Sequence, residues 1–203
     1  MKLLRVGEKG KEKPAILDGD GKIRDISSHV SDLNPHNLNF ETISKIQSVD
    51  TSNLPEISSD QRVGSCITSP GKFVAIGLNY SDHAAEVGAD IPKEPIMFMK
   101  ATSSMCGPND DVEIVSGSKK LDWEVELGIV IGKEAKHISE DQSQDHILGY
   151  CLVNDVSERE WQIEKMGQWV KGKSHDTYGP TGPYLVTKDE IKDINNLKMM
   201  LDV

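Results

Sequence analysis

The sequence lacks the features of a secreted, membrane-bound or nucleic-acid-binding protein. Its three cysteines, Cys66, Cys106 and Cys151, form no CxxC pair, which is typical of reduced thiols in the cytoplasm. No stretch approaches the roughly 20 apolar residues of a membrane span, and the N-terminus returns to charge too soon for a secretory signal. Basic residues are in deficit, 23 against 33 acidic ones, and a net charge of −10 disfavours nucleic acid and anionic membranes as partners. We therefore expect a cytoplasmic protein, and 203 residues with 36% hydrophobic content suffice for a globular core.

The first part of the chain, residues 1–68, has short strand-like runs separated by turn residues. A short amphipathic helix is predicted near Phe40–Ile46, followed by a polar connection. This pattern predicts a small β N-terminal domain over 1–68, followed by a second domain over 69–203. The predicted strands are Leu3–Val6, Ala15–Leu17 and Lys22–Ile26.

The second part of the chain is also richer in strands than in helices. A cap followed by a short helix is predicted within residues 79–86, ending near Gly88, and a second helix is predicted at Glu158–Met166. The excess of strands favours a mainly β protein with some helix (α+β) over a doubly wound α/β sheet. The predicted strands are Phe73–Ile76, Ile96–Lys100, Val112–Val115, Trp123–Ile131, Ile147–Val153, Tyr184–Val186 and the final run Leu197–Val203.

Three carboxylates carry the clearest chemical signal. Glu124 and Glu126 alternate with apolar residues, so both project from one face of a strand, roughly 7 Å apart along the backbone. Such a pair repels unless a cation or protons lie between the two groups, although an ordinary solvated strand face is the simpler alternative. Asp155 follows the strand Ile147–Val153 and adds a third carboxylate. Oxygen ligands without paired His or Cys suit Mg²⁺, with Mn²⁺ or Ca²⁺ also possible and Zn²⁺ disfavoured.

A second constellation could move protons and stabilise negative charge. His83 and Glu86 are spaced i, i+3 on a predicted helix, so the carboxylate could fix the imidazole tautomer and make it a base for activating water. Lys173, in a glycine-flanked loop, could place a positive charge near a developing enolate. Taken alone, the pair is more often a surface contact and the lysine is more often solvated.

Residues 167–174 fit the phosphate-binding pattern G-x-x-x-x-G-K-[ST]. That motif requires a buried strand before it and a helix after it, whose N-terminus faces the phosphates. Here the preceding segment Glu158–Met166 is charged and helix-like, and the following one contains two prolines, Pro180 and Pro183. We therefore reject a nucleotide site.

Several spaced blocks, in register, resemble the fumarylacetoacetate hydrolase family. The small β segment before them is most similar to bacterial members of the family that act as 2-hydroxyhepta-2,4-diene-1,7-dioate isomerases or ureidoglycolate lyases. The blocks are Gly77–Glu86, Pro95–Lys100, Leu121–Leu127 with Val130–Lys133, Gly149–Asp155, Gly172–Asp176 and Gly179–Pro183.

The resemblance implies a fold, a cofactor and an assembly. The fold would be a mixed β-sandwich roll, preceded by the small β domain, and the assembly would be a homodimer. The cofactor would be Mg²⁺ or Mn²⁺, held by Glu124, Glu126 and Asp155. Family members typically continue further, with a Pro-Gly-Asp block and a Thr-Gly-Thr-Pro-x-Gly block, so the sequence predicts a domain that is incomplete at its C-terminus.

The resemblance also implies a reaction and the residues that perform it. It makes His83 and Glu86 a proton-transferring dyad on a lid segment, and it places Lys173 and Gln162 beside the substrate. The expected activity is C–C bond hydrolysis of small 2-oxo or 1,3-dicarbonyl acids of the acylpyruvate type. Isomerisation of a 2-hydroxy-dienedioate, decarboxylation of oxaloacetate, or ureidoglycolate cleavage on the same metal site stays open. So does an inactive remnant that lacks part of its substrate pocket.

Overall fold

The computed structural model describes all 203 residues, with many short strands and few helices. The strands are β1 (Lys2–Val6), β2 (Lys13–Leu17), β3 (Ile23–Asp25), β4 (Glu56–Ile57), β5 (Val74–Gly77), β6 (Ile96–Met99), β7 (Met105–Cys106), β8 (Leu121–Asp122), β9 (Val125–Ile131), β10 (Ile147–Asn154), β11 (Ser157–Glu158), β12 (Gly179–Pro180) and β13 (Leu185–Thr187). The helices are α1 (Phe40–Gln47), α2 (Ser81–Glu86), α3 (Val170–Lys173) and a π-helical turn, Glu160–Glu164. Short 3-10 turns lie at Thr51–Asn53, Thr102–Ser104, Glu140–His146 and Lys188–Glu190. None of the helices is both long and apolar enough to cross a lipid bilayer.

One large antiparallel sheet dominates the molecule. Its seven strands follow the order β4-β3-β2-β1-β13-β10-β9, so β9 lies at an edge. Three smaller ladders accompany it: β5 with β6 and β8 with β11, both antiparallel, and β7 with β12, which is parallel. This mainly β architecture with a few short helices confirms the α+β prediction.

The sheet and its core both cross residue 68. Strand β1 pairs with β13, with Leu3 opposite Leu185, so the N-terminal strands join the later ones directly. The main apolar core also draws residues from both parts, among them Ile16 and Ile43 from the first and Val130 from the second. The division into 1–68 and 69–203 stays a prediction, and no break in the sheet marks it.

The pairing of β9 with β10 positions the carboxylates. Glu126 lies opposite Val153, and the amide of Asp155 donates to the carbonyl oxygen of Glu124 at 2.9 Å. Because strand side chains alternate, the even-numbered side chains of β9 share a face with Val153 and the core. The odd-numbered apolar side chains share the opposite face, where Ile129 is 53% exposed and Ile131 is 56% exposed.

Three predicted elements are wrong or only partly correct. Residues 112–115 form a loop, in which the amide of Glu113 donates to the Thr177 hydroxyl instead of to a strand. Residues 197–203 have no strand partner, and a strand without a partner leaves its backbone groups unpaired. The helix predicted over residues 158–166 is reduced to the π-helical turn. Its first predicted residue, Glu158, belongs to β11 instead, and the buried carboxylate of Glu158 accepts hydrogen bonds from backbone amides.

Candidate active site

All the residues singled out from the sequence as candidate site residues line one cleft. The cleft has a volume of about 1940 Å³ and lies against the face of β9 and β10 that carries the carboxylates. Strands β5 and β6, helix α2 and the π-helical turn supply its other walls. The residues are His83, Glu86, Glu124, Glu126, Asp155, Gln162 and Lys173.

The ammonium group of Lys173 connects two of the three carboxylates. Its Nζ lies 2.9 Å from Oε2 of Glu124 and 2.7 Å from Oδ2 of Asp155, and the side chain is almost fully buried. No group of three or more His, Cys, Asp or Glu side chains is arranged closely enough to coordinate a metal ion. In this structure, Glu124 and Asp155 are instead paired with side-chain cations.

Glu126 is the carboxylate of the cluster without a cationic partner. Burial, followed by repulsion from Glu124 and Asp155, raises the pKa of Glu126 to about 7. The hydroxyl of Tyr80 accepts a hydrogen bond from the amide of Leu127 at 3.0 Å, and burial raises the pKa of that hydroxyl. Glu124, Glu126 and Asp155 offer only oxygen donors, which is the donor type that a hard divalent cation prefers, but in this structure they are not arranged as a metal site.

Lys100 is a site residue that sequence analysis did not single out. Its buried ammonium donates to Oδ1 of Asp155 at 2.5 Å and to the carbonyl oxygens of Val156 and Lys173. Burial lowers the pKa of Lys100, and the charge of Asp155 opposes that shift. The one sequence signal for Lys100 is its position directly after the apolar residues Ile96–Met99, which does not predict a buried lysine, because lysine is rarely buried unless it is paired.

Arg159 is the second site residue that was missed. Its guanidinium donates to Oε1 of Glu124 at 2.6 Å, to Oδ2 of Asp122 at 2.9 Å and to Oε1 of Gln162 at 3.1 Å. Gln162 is itself buried, so this hydrogen bond fixes the orientation of its amide. The sequence pattern around Asp155 does not indicate that Arg159 contacts Asp122 in β8 and Glu124 directly before β9.

The His83–Glu86 pair is much looser than the charge cluster. The closest atoms, Nδ1 of His83 and Oε2 of Glu86, are 3.8 Å apart, which is too long for a hydrogen bond. The two side chains are 36% and 79% exposed. Helix α2 carries both residues on a single short turn, with no side-chain cap at its N-terminus.

The segment that fits the phosphate-binding pattern has a different role. The π-helical turn precedes it, and α3 ends at Lys173 without continuing beyond Ser174. A strand before the loop and a helix after it, which that pattern needs, are both absent. Instead, the segment delivers Lys173 to the carboxylates.

The fold and the site define a β-rich protein whose cleft combines clustered carboxylates, buried lysines and an exposed His–Glu pair. The family model described as Fumarylacetoacetate (FAA) hydrolase C-terminal matches residues 72–203. The chain belongs to the fumarylacetoacetate hydrolase family.

Similar proteins represent more than one activity. A protein of Burkholderia lata, whose name describes it provisionally as a hydrolase, is 55% identical over the whole chain and 72% of its own length. The solved fumarylacetoacetate hydrolase of Exiguobacterium antarcticum has a TM-score of 0.80 and 30% identity, and the match covers 95% of this chain and 68% of that one. The solved 2-hydroxyhepta-2,4-diene-1,7-dioate isomerase of Mycobacterium marinum has a TM-score of 0.67 and 30% identity, with 93% and 66% covered. Hydrolases and isomerases of the family thus indicate the general kind of activity.

Proposed function

We propose that the protein is a divalent-metal-dependent enzyme that hydrolyses a C–C bond in small 2-oxo or 1,3-dicarbonyl acids of the acylpyruvate type. The observation that carries the proposal is the pairing of the Lys173 ammonium group with both Glu124 and Asp155, in a cleft that Glu126 also lines. The similarity to a fumarylacetoacetate hydrolase supports the same reaction class.

The carboxylates would hold the cation. Glu124, Glu126 and Asp155 offer only oxygen donors, which suits Mg²⁺ or Mn²⁺, with Ca²⁺ as a further candidate. Such a cation supplies Lewis-acid polarisation of the substrate's carboxylate and adjacent oxo group. To bind it, Glu126 has to be ionised, which its raised pKa opposes, and Glu124 and Asp155 have to give up part of their pairing with Lys173.

Buried cationic and amide groups would bind and orient the oxo acid. The ammonium group of Lys173 lines the cleft, where it would stabilise negative charge that develops on an oxo oxygen. Gln162, held by Arg159, presents its amide to the same part of the cleft. Both groups are fixed before a substrate arrives, so little reorganisation is required during the reaction.

The dyad would activate the water. His83 would accept a proton from water as that water attacks the second carbonyl group, and Glu86 would orient the imidazole. At 3.8 Å the two side chains have to approach each other, which their exposed position on α2 permits. Catalytic hydrogen bonds are often long before substrate binds, so this distance is compatible with the role.

Isomerisation of a 2-hydroxy-dienedioate is the second candidate, and the similarity to the Mycobacterium marinum isomerase supports it. In that reaction His83 would move a proton between carbon atoms of the substrate, and no water would be consumed. Product analysis separates the two reactions, because hydrolysis yields two smaller acids whereas isomerisation leaves the mass unchanged.

The proposal is tested with a panel of acylpyruvates and Mg²⁺, together with calorimetric titration of Mg²⁺. The double variant Glu124→Gln/Glu126→Gln is expected to lose both turnover and Mg²⁺ binding. The matched control, Glu41→Gln/Glu56→Gln, removes the same charge from exposed positions outside the cleft and is expected to keep both. Unchanged Mg²⁺ affinity in the first variant contradicts the metal site. A wild-type chain that binds Mg²⁺ but converts no substrate contradicts the activity and favours a non-catalytic protein.

A further inference from the structure

Gly172 lies where the segment that carries Lys173 packs against the π-helical turn that carries Gln162. A Cβ atom built at Gly172 would lie 2.3 Å from the carbonyl oxygen of Glu158 and 2.7 Å from the amide nitrogen of Gln162. Both atoms belong to the backbone, so neither can rotate away as the end of a side chain could. This close approach of two backbones therefore requires a residue without a Cβ atom.

A ring contact joins the same two segments. The rings of Trp161 and His175 meet edge to face, with centroids 5.1 Å apart and an interplanar angle of 66°. Trp161 directly precedes Gln162, and His175 follows Lys173 by two residues. The buried carboxylate of Glu158 accepts the amide of Trp161 at 2.7 Å, which anchors the turn to the preceding strand.

We infer that Gly172 is a positioning residue, which sets the placement of the Lys173 ammonium relative to the Gln162 amide. This inference rests on the proposed function, in which both groups bind the substrate. A polar path also joins them: Arg159 donates to both Gln162 and Glu124, and Glu124 pairs with Lys173. A side chain at position 172 would push α3 away from the turn, and Lys173 would leave its place between Glu124 and Asp155.

The primary test compares Gly172→Ala with Gly19→Ala. Gly19 is an exposed turn residue that has no atom within 4 Å of a built Cβ, so its variant is the matched control. Misplacement by about 1 Å can reduce turnover by about 100-fold, so a loss of that order is expected for Gly172→Ala. The loss is expected in kcat more than in KM, because the Lys173 charge acts on charge that develops during the reaction. Wild-type kinetics in Gly172→Ala would overturn the inference.

A double-mutant cycle separates positioning from simple loss of stability. In a Lys173→Met background, Gly172→Ala is expected to cause little further loss of turnover, because the group that it displaces is already gone. A purely structural role would add its full loss to that of Lys173→Met, and that result would overturn the inference. Trp161→Leu keeps Gly172 but removes the ring contact, and it is expected to give a smaller loss of the same kind. It also serves as the test variant if Gly172→Ala does not fold.

A readout that is independent of activity separates this inference from the proposed function. The ¹H–¹⁵N resonance of the Lys173 ammonium reports its pairing with Glu124 and Asp155. This resonance is expected to shift or disappear in Gly172→Ala, or in Trp161→Leu, and to stay unchanged in Gly19→Ala. If the wild-type protein turns over no acylpyruvate but the resonance responds in this way, the proposed function fails and the positioning role stands. An unchanged resonance in both test variants refutes the positioning role, whatever the activity.

Discussion

The two halves of the candidate active site are constructed in opposite ways. Glu124, directly before β9, and Asp155, directly after β10, are locked to Lys100, Lys173 and Arg159 by short, mostly buried ion pairs. On α2, the two dyad side chains are exposed and too far apart to form a hydrogen bond.

The two halves differ in how many partners hold each charged side chain. Buried ions need several partners, since desolvation costs each charge several kcal/mol. The charged groups of the cluster come from four separate parts of the chain: residue 100, residue 124, residues 155–159 and residue 173. An exposed pair on one helical turn carries no such cost. We call the paired charges the rigid half of the site and the His83–Glu86 pair its exposed half. Under the proposed function, the rigid half would hold charge in place and the exposed half would transfer protons.

The largest effect on stability is expected from removing a buried cation of the rigid half. Lys100→Met leaves Asp155 short of one partner and should lower the free energy of unfolding by about 3–5 kcal/mol. The control is Lys120→Met, which breaks an exposed ion pair with Glu164 and should cost less than about 1 kcal/mol. Urea denaturation at pH 7 measures both variants. If both variants lost the same free energy of unfolding, the buried cluster would be no more stabilising than a surface ion pair, and the two halves of the site would not differ in this respect.

A smaller effect, dependent on pH, is expected at Glu126. Its pKa is raised from 4.5 to about 7, so between these pH values the unfolded chain releases a proton that the folded protein keeps. Stability therefore falls as pH rises from about 4.5 to about 7. Glu126→Gln removes this loss and should be more stable than wild type above pH 7 by about 1–2 kcal/mol, after allowance for solvent screening.

Unfolding curves from pH 4 to pH 8, recorded with a chelator present, test this expectation for Glu126. The matched control is Glu86→Gln, which changes the same side chain on the exposed half and should reproduce the wild-type profile. A Glu126→Gln profile parallel to that of wild type would show that the like-charge crowding on β9 is too weak to matter.

The fold was predictable where the sequence pattern is local and strong. The predicted strands β1, β9 and β10 and the predicted helix α1 are confirmed within a residue or two at each end. At the start of α1, the side chain of the cap residue Asn39 accepts a hydrogen bond from the amide of Thr42. The errors lie where tertiary partners override local preference. The sequence around Glu158 resembles a charged helix. In the structure, however, its buried carboxylate accepts hydrogen bonds from backbone amides, and those partners come together only when the chain folds.

The site was predictable only in part, for a similar reason. Strand alternation places Glu124 and Glu126 on one face without knowledge of any partner, and the end of β10 brings in Asp155. Lys100 and Arg159 gave no comparable pattern, because their contacts join residues separated by 55 and 35 positions. Long-range ion pairs of this kind depend on the packing of β6 and the π-helical turn, which a periodic pattern does not encode.

The smallest effect on stability, together with a large effect on turnover, is expected for the exposed half. His83→Ala should change the free energy of unfolding by less than about 0.5 kcal/mol, because the side chain is partly exposed and makes no hydrogen bond of its own. If His83 acts as the base, turnover of an acylpyruvate should fall by about 10²–10⁴-fold. His36→Ala, at an exposed histidine outside the cleft, is the matched control and should change neither quantity. A His83→Ala variant with full turnover would assign the chemistry to the rigid half alone, whereas a marked loss of stability would mean that α2 is held more firmly than its contacts suggest.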